Sequence, residues 1–548
     1  MGILAKLGIS PRAVINQAYD YVIVGGGSAG CVLANRLSTD ASVSVLLIEA
    51  GKKDSSPLIR LPFGWMLIAY HKKFSWMHKT KASPAIDERR MDWPRGKVLG
   101  GSSATNGMIY IRGQAQDYED WLALGNEGWG WRDCLPYFKK SEDYYCGAND
   151  AHGAGGLLHV SKSHGDELGD TFLQGCEEAG LSRSEDFNGG DQEGAGYYDV
   201  TIKNGVRQST AETFLKAAHN RPNLTIVTET MANRVLFEGD AAVGVNISRD
   251  GITLDVSARR EVLLCGGAIN TPQLLQLSGV GPRALLRQHS IPVVKELAGV
   301  GENLQDHLGV MVAREITKPI TLAAQMKPHR MIYNLYLYLR YKRGIINTPS
   351  AYVGAFFRSR TELQRPDMQL HFTPASGYRE DNGKSVLDEK AGATTVVTPC
   401  RPESRGSVRI CSTDPEQHPE IDANYMATDK DRKDMLQAIR KQRELFASPA
   451  MAAITGVEIR PGDEFQSDDD LLAYIRQFCV TNYHPVGTCK MGNDPMAVVD
   501  THLRVHGLRR LRVIDASIMP TLISGNTNAT TIMIAERGAD FIQQSQAK

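Results

Sequence analysis

The fold is set near the start of the chain by the stretch Tyr19-Asp20-Tyr21-Val22-Ile23-Val24-Gly25-Gly26-Gly27-Ser28-Ala29-Gly30. Its first half is a short apolar, β-branched run, which predicts a strand that ends in a glycine-rich turn. Residues 28–37 carry an Ala/Leu face and predict a helix, and residues 43–48 (VSVLLI) predict a second strand. The stretch therefore predicts a βαβ unit that opens a parallel sheet.

The turn itself matches the pattern G-x-G-x-x-G. Gly25 permits the tight turn, Gly27 lets the backbone approach a pyrophosphate, and Gly30 lets helix and strand pack closely. The helix N-terminus offers N–H groups to phosphates, and Glu49 can accept hydrogen bonds from ribose hydroxyls. A glycine-rich turn without a ligand is the alternative, but strand, helix and acidic residue in register favour a dinucleotide site. The motif alone leaves NAD and FAD open.

Composition narrows the class of protein. The 548 residues exceed one compact core, so two domains are expected, and Lys+Arg and Asp+Glu both total 62. With a formal net charge of zero, the protein has no overall positive electrostatic field that would attract nucleic acid. The nine cysteines are scattered without a C-x-x-C pair, so we predict no disulfide framework and no metal site. No apolar run approaches the roughly 18 residues of a membrane span, and residues 1–18 do not resemble a signal peptide. A cytoplasmic protein is expected.

Further segments carry a family resemblance. Residues 96–108 (GKVLGGSSATNGM) and 267–281 (GAINTPQLLQLSGVG) resemble the two signatures of the glucose–methanol–choline (GMC) oxidoreductase family. Residues 482–492 (NYHPVGTCKMG), 515–517 (DAS) and 525–528 (GNTN) are similar to its C-terminal active-site region, and residues 301–307 (GENLQDH) also fit. Within the family, the chain resembles the bacterial branch of choline dehydrogenases and broad alcohol dehydrogenases.

The resemblance implies FAD bound on a Rossmann-type α/β domain, with an inserted α+β substrate domain built from an antiparallel sheet and helices. Residues 19–160, 205–315 and 481–548 would form the FAD-binding domain. Residues 161–204 and 316–480 would form the substrate-binding domain. The Pro- and Gly-interrupted, strand-like texture of residues 316–465 agrees with such an insertion.

The resemblance also assigns FAD contacts. The isoalloxazine side would be lined by Leu99, Gly101, Asn106, Gly107, Met108 and Ile109. Val235 would bind the adenine end through its backbone, and Asp515 and Ala516 would return to the ribityl chain and flavin ring. The remaining predicted contacts are Gly25, Gly27, Ser28, Ala29, Gly30, Glu49, Asn526 and Thr530. Some members tether FAD through a histidine where this chain has Thr105, so non-covalent FAD is predicted.

The chemistry implied is oxidation of a primary alcohol to an aldehyde, with hydride transfer to flavin N5. His484 would act as base or as the group that orients the alkoxide, because a histidine titrates near working pH. Asn528 would be the second catalytic residue, hydrogen bonding the substrate oxygen through its amide. His307 is expected to serve packing or a turn.

Substrate and partners are less constrained. Related bacterial sequences read E-A-G-G-F where this chain reads Tyr352-Val353-Gly354-Ala355-Phe356, so Tyr352 replaces an acidic residue. The change argues against choline as the substrate and favours a neutral primary alcohol. Tyr483 is predicted to form an aromatic wall of the substrate pocket. The electron acceptor would be oxygen or a quinone or dye. Alternatives are a choline dehydrogenase, a lyase or light-driven decarboxylase on the same fold, and more weakly a nicotinamide enzyme.

A Tyr/Leu-rich run at residues 331–341 predicts a helix. We expect its apolar face to be buried. Lining of the substrate entry and peripheral contact with lipid remain the alternatives.

Overall fold

The computed structural model describes residues 15–379 and 385–546, in which two seven-stranded sheets form the framework. The first is a mixed sheet. Its strands, in spatial order, are Leu224–Val227, Val45–Ile48, Ala18–Val24, Ile252–Leu264, Ala241–Arg249 and Met231–Glu238, with Leu511–Val513 also paired to Ile252–Leu264. The strands on either side of Ala18–Val24 run parallel to it. Ala241–Arg249 and Met231–Glu238 pair antiparallel with their neighbours and form an antiparallel arm.

The predicted βαβ unit is confirmed. Strand Ala18–Val24 pairs in parallel with Val45–Ile48, and helix Ser28–Leu37 connects them. Both strands are almost fully buried, because apolar side chains cover both faces as in other parallel sheets. The long C-terminal helix Asn528–Gln546 packs against Ser28–Leu37 and brings the end of the chain to the glycine-rich turn.

The second sheet is entirely antiparallel, as predicted for the insertion. Its strands, in spatial order, are Thr455–Arg460, Leu308–Ile316, Gly392–Pro399, Met368–Thr373, Val353–Phe357 and Gly194–Tyr197, with Val480–Thr481 paired to Leu308–Ile316. Helix Asp429–Phe446 packs on one face and buries an apolar cluster. Because Leu308–Ile316 belongs to this sheet, the chain crosses between the sheets before the predicted boundary at residue 316.

The longer helices complete the two layers. They are Ser28–Leu37, Ala115–Ala123, Trp131–Ser141, Glu167–Glu178, Gly267–Leu277, Pro328–Tyr341, Asp429–Phe446, Asp468–Phe478 and Asn528–Gln546. Pro328–Tyr341 confirms the helix predicted from the Tyr/Leu run, but the expected burial is wrong, since only Asn334 of this helix is buried. Within the described ranges, no helix combines the length and apolar character needed to cross a bilayer.

Candidate active site

A cavity of about 1150 Å³ lies between the two sheets, and both contribute to its walls. Most of the predicted FAD contacts line it, namely Gly25, Gly27, Ser28, Ala29, Glu49, Gly101, Asn106, Gly107, Met108, Ile109, Asp515, Ala516 and Asn526. His484, Asn528 and Tyr483 line it as well. The fold thus brings segments from the beginning, middle and end of the chain to one site.

At one end, the cavity meets the N-terminus of helix Ser28–Leu37. Gly27 precedes this helix without a side-chain cap, so the first-turn N–H groups are left for a ligand. The backbones of Gly27 and Gly101 approach closely, and a Cβ atom on Gly101 would lie 2.6 Å from the Cα atom of Gly27. A side-chain-free cradle at a helix N-terminus fits the pyrophosphate of a dinucleotide.

Glu49 lies beside this cradle. Its carboxylate accepts hydrogen bonds from the backbone N–H groups of Gly26, at 2.9 Å, and Gly51, at 2.7 Å. Burial raises the pKa of Glu49 to about 7, although these two donors favour the charged form. Ribose hydroxyls are donors that suit the remaining lone pairs of the carboxylate. The position therefore fits the adenosine ribose of FAD.

Hydrogen bonds also fix two loops of the cavity wall. Asn106 Oδ1 accepts from the N–H of Met108, at 3.1 Å, and from Arg207 Nη1, at 2.9 Å. The Asp515 carboxylate accepts from the N–H of Gly267, at 2.8 Å, and from the hydroxyl of Thr271, at 2.6 Å. Asn106 and Asp515 both line the cavity. Their hydrogen bonds therefore fix the backbone of the wall against which a flat flavin ring would pack.

Two predicted FAD contacts near the turn lie outside the cavity lining. A Cβ atom on Gly30 would lie 1.9 Å from the carbonyl oxygen of Gly25, which fits the predicted packing of helix on strand. The side chain of Leu99 packs against Gly26 instead of facing the cavity. Gly30 and Leu99 therefore pack against the glycine-rich turn and do not face the cavity.

Val235 and Thr530 also need correction. The N–H of Val235 donates to Ser278 Oγ at 2.8 Å, and its strand reaches the cavity with Met231 and Ala232 instead. Thr530 Oγ1 lies 2.8 Å from the hydroxyl of Tyr118, within helix packing. Asn528 and Thr531 line the cavity because residues three apart share one side of a helix, whereas Thr530 faces another side.

Tyr352, the other predicted substrate contact, lies outside the cavity lining. It is buried in the apolar cluster of the antiparallel sheet, and its hydroxyl donates to Asp166 Oδ1 at 2.8 Å. Its neighbours Ser350 and Ala351 line the cavity instead. The replacement of an acidic residue by Tyr352 therefore changes the core behind the cavity wall and not the wall itself.

The amide paired with His484 is Asn526, not Asn528. Asn526 Nδ2 lies 3.2 Å from His484 Nε2, and Asn526 Oδ1 accepts from Gln369 Nε2 at 3.0 Å. Asn528 instead begins the C-terminal helix, where its Oδ1 accepts from Ser28 Oγ at 2.7 Å. The pairing predicted with Asn528 is therefore replaced by one with Asn526, which the sequence placed among the FAD contacts.

The second nitrogen of His484 contacts His307. The two Nδ1 atoms lie 2.9 Å apart, and His307 Nε2 lies 2.9 Å from the carbonyl oxygen of Cys400. Because a carbonyl only accepts, His307 carries its proton on Nε2, and its bare Nδ1 must accept from Nδ1–H of His484. This hydrogen-bond chain leaves Nε2 of His484 unprotonated, with its lone pair accepting from Asn526 Nδ2 at the cavity. His307 thus has a role beyond the expected packing.

Burial sets the charge of these rings. It lowers the pKa of His307 to about 4 and that of His484 well below its usual value, the latter with help from His307, His371 and Arg95. Both rings are therefore neutral at neutral pH. The His484 backbone is held by Asp306, whose Oδ1 accepts from its N–H at 2.7 Å. Burial raises the pKa of Asp306 to about 6.

His371 is a cavity residue that the sequence reasoning missed. It lies on strand Met368–Thr373 and lines the cavity, and burial lowers its pKa to about 4. Gln369, on the same strand, orients Asn526. The sequence carries a signal for this site, since MQLHFT places the polar residues Gln369, His371 and Thr373 at alternate positions of an otherwise apolar strand.

Tyr483 lies at the rim of the cavity, with 37% of its side chain exposed. Its hydroxyl is 2.5 Å from that of Tyr70, with the rings edge to face. Its carbonyl accepts from Arg95 Nη1 at 2.7 Å. Tyr483 therefore contributes an aromatic ring to the cavity rim, and its contact with substrate stays a prediction.

Known proteins match the chain over nearly its whole length. Residues 19–309 and 402–535 match the two family models described as GMC oxidoreductase. The chain is 45% identical over 530 residues to an alcohol dehydrogenase [acceptor] of Pseudomonas putida, covering 96% of this chain and 95% of the relative. It is 47% identical over 538 residues to an oxygen-dependent choline dehydrogenase of Serratia proteamaculans, covering 96% of each.

Solved structures agree with this match. The crystal structure of pyridoxine 4-oxidase from Mesorbium loti superimposes with a TM-score of 0.86 at 31% identity, over 97% of this chain and 99% of the other. FAD is the cofactor that the family implies, and the glycine cradle, Glu49 and the anchored loops fit it. From its two family models and its full-length relatives, the chain belongs to the GMC oxidoreductase family and is an oxidoreductase that acts on CH–OH donors.

Proposed function

We propose that the protein oxidises neutral primary alcohols to aldehydes, with His484 taking the hydroxyl proton. The observation that carries this proposal is the hydrogen-bond chain from the Cys400 carbonyl through His307 to His484, which makes Nε2 of His484 an unprotonated acceptor beside Asn526 Nδ2. FAD, when bound, supplies the acceptor for the hydride that leaves the carbinol carbon. Loss of one proton and one hydride converts the alcohol to the aldehyde.

His484 and Asn526 would have different roles at the site. A substrate hydroxyl would donate to Nε2 of His484 while its oxygen accepts from Nδ2 of Asn526, which already points there. Gln369 holds the amide in this orientation, because it donates to Asn526 Oδ1. Such fixed geometry favours proton removal over rival reactions of the fold, such as those of a lyase or a light-driven decarboxylase.

The charges around the cavity favour a neutral substrate. Its acidic lining residues, among those described, are Glu49, Asp92 and Asp515. Glu49 and Asp515 accept backbone hydrogen bonds, and Asp92 pairs with Lys79 at 3.2 Å. Arg95 lines the cavity and lowers the pKa of His484. A cationic headgroup near His484 would therefore meet a positive group and no uncommitted carboxylate.

A pair of isosteric substrates tests this preference. Choline and 3,3-dimethylbutan-1-ol have the same shape, but the second carries a carbon atom in place of the charged nitrogen. We expect at least a tenfold higher kcat/KM for the neutral alcohol, measured by flavin reduction under anaerobic conditions. A higher value for choline would overturn the neutral assignment. Failure of every alcohol to reduce the flavin would overturn alcohol oxidation itself.

Choline oxidation is the second candidate function. It is supported by the identity to choline dehydrogenases and by the aromatic lining residues Trp65, Tyr70 and Tyr483. Aromatic rings bind quaternary ammonium groups through cation–π interactions without a carboxylate. The same isosteric pair distinguishes the two candidates.

We further propose that FAD is held without a covalent bond. Thr105 lines the cavity at the position where some relatives carry the tethering histidine. A threonine hydroxyl is a poor nucleophile at neutral pH, so no histidyl-type bond is expected there. Acid precipitation should release the yellow cofactor into the supernatant. A yellow pellet would show covalent attachment.

The electron acceptor is proposed to be oxygen or a quinone. The two relatives differ here, one being named for an acceptor and the other for oxygen. Reoxidation of the alcohol-reduced enzyme with either oxidant, followed by stopped flow, distinguishes them.

A further inference from the structure

The helix Pro328–Tyr341 turns its apolar stripe toward solvent. Ile332, Leu335, Tyr336 and Leu339 occupy positions i, i+3, i+4 and i+7, so they share one face. Their side chains are 74%, 48%, 53% and 63% exposed, in that order. In a globular protein this stripe normally faces the core. We call these four residues and the adjacent Tyr333, which is 60% exposed, the tyrosine face.

The opposite side of the helix is anchored. Asn334 is buried, and outside the helix its Nδ2 donates to the carbonyl of Gln325 at 3.4 Å while its Oδ1 accepts from the N–H of Ile345 at 3.3 Å. The hydroxyl of Tyr338 donates to the carbonyl of Gly205 at 2.9 Å. The outward direction of the tyrosine face is therefore fixed by contacts of the other side. A large apolar patch held in water indicates a binding surface.

The segment that carries this face has charges of one sign. Residues 316–357 contain Lys318, Lys327, Arg330, Arg340, Lys342 and Arg343, and no Asp or Glu. Lys318 pairs with Glu167, but Lys327, Arg340 and Arg343 belong to the surface at the two ends of the helix. An apolar stripe with tyrosines, flanked by basic side chains, is the pattern of helices that lie in the interface of an anionic bilayer. A protein partner would require no such excess of one charge.

The tyrosine face adjoins the cavity opening. Met326 is two residues before the helix and is both 39% exposed and part of the cavity lining. Leu67 and Tyr378 also line the cavity and are 56% and 53% exposed. The short turn Ile345–Asn347 contacts both the helix and the turn Pro62–Gly64, which leads to Leu67. The apolar rim and the helix therefore belong to one side of the molecule.

We propose that the tyrosine face docks on the surface of an anionic lipid bilayer, with the helix lying in the interface. The rim residues would then open the cavity toward the lipid. An apolar alcohol dissolved in the membrane would reach His484 without crossing water, a consequence that rests on the proposed function.

Vesicle sedimentation with the full-length holoenzyme tests the docking. The probes are vesicles of pure phosphatidylcholine and vesicles with roughly one third phosphatidylglycerol, the anionic lipid. The variant is Ile332→Glu with Leu339→Glu, and the matched control is Ile252→Glu, at a 65% exposed residue of the mixed sheet. We expect the wild type and the control to sediment with anionic vesicles. The double variant should bind at least tenfold more weakly, and high salt should also release the wild type.

Activity and mass are measured on the same proteins. Oxidation of a short, water-soluble alcohol with a soluble dye should be equal in all of them without vesicles, so a failed docking is distinguishable from a failed catalytic assignment. Absence of wild-type sedimentation with anionic vesicles, or equal sedimentation of the double variant, would overturn the proposal. A wild-type dimer that the double variant splits, without vesicle binding, would make this face a subunit interface and would also overturn it.

Discussion

Nδ1 of His307 lies 2.9 Å from Nδ1 of His484, deep in the wall of the cavity. The two rings meet edge to face, with an interplanar angle of 85°. Two neutral imidazoles can share a hydrogen bond between like atoms only if one carries the proton there and the other does not. The Cys400 carbonyl decides which, because it requires the proton of His307 on Nε2. His307 is thus a positioning residue that selects the tautomer of His484.

Removal of His307 should affect catalysis through this tautomer. We expect His307→Ala to lower kcat by roughly ten- to hundredfold, within the range for general-base help. His307→Asn should recover part of the loss, because an amide can donate to Cys400 and accept from His484. The acid limb of the pH profile should also move toward higher pH in His307→Ala, since His307 helps to lower the pKa of His484. An unchanged limb with equal loss in both variants would indicate a packing role only.

Replacement of His484 itself tests the base. We expect His484→Ala to reduce turnover by at least about a hundredfold while the flavin spectrum is retained. His219→Ala is the matched control, because this histidine is exposed and does not line the cavity. Single-turnover reduction of the flavin by a good alcohol substrate is the measurement. Near-normal reduction by His484→Ala would remove this residue from its proposed role.

The pH dependence of the wild type follows from the same burial. The neutral form of His484 accepts the proton, so activity is present above its pKa and is lost below it. Since the pKa of His484 lies well below 6.5 and that of His307 is about 4, kcat/KM should stay flat as pH falls from 8 to 6.5. The acid limb should appear only below that range. A limb centred near pH 6.5 or above would contradict the placement of His484 in a buried, neutral pair.

Glu49 should contribute to FAD affinity and not to the chemical step. In Glu49→Gln one of the two backbone N–H groups now bonded to the carboxylate would face an NH₂ group, which costs about 1–3 kcal/mol. We therefore expect roughly tenfold or greater weakening of FAD binding, with kcat unchanged at saturating FAD. Fluorescence titration of the apoprotein measures this. Glu229→Gln, at a 55% exposed side chain paired with Lys52, is the control.

Local patterns predicted the framework better than the site. The βαβ unit and the helix of residues 331–341 follow from periodicity, which each segment carries by itself. Periodicity shows that the helix has an apolar stripe but not whether this stripe faces the core or the solvent. The Tyr/Leu stripe is therefore predicted to be buried, whereas the structure exposes it. Likewise, the family resemblance predicts an FAD contact at Val235, whereas strand Met231–Glu238 reaches the cavity at Met231 and Ala232. Such offsets depend on packing between distant segments.

The choice between the two asparagines of Gly525-Asn526-Thr527-Asn528 was beyond the sequence for the same reason. It depends on where the C-terminal helix begins. Because the helix begins at Asn528, this side chain lies in the first turn beside Ser28, whereas Asn526 precedes the helix and reaches His484. Two amides only two residues apart thus serve different partners.

These partners make the two asparagine variants distinguishable. Asn526→Ala removes the amide next to Nε2 of His484 and one of the two acceptors of Gln369 Nε2, so we expect kcat to fall by about tenfold or more with little change in FAD binding. Asn528→Ala removes only the acceptor of Ser28 Oγ at the cofactor cradle, so FAD should bind more weakly while kcat at saturating FAD is nearly unchanged. Anaerobic flavin reduction gives the first quantity, and titration of the apoprotein gives the second. The reverse result, with turnover lost in Asn528→Ala and kept in Asn526→Ala, would return the second catalytic role to Asn528.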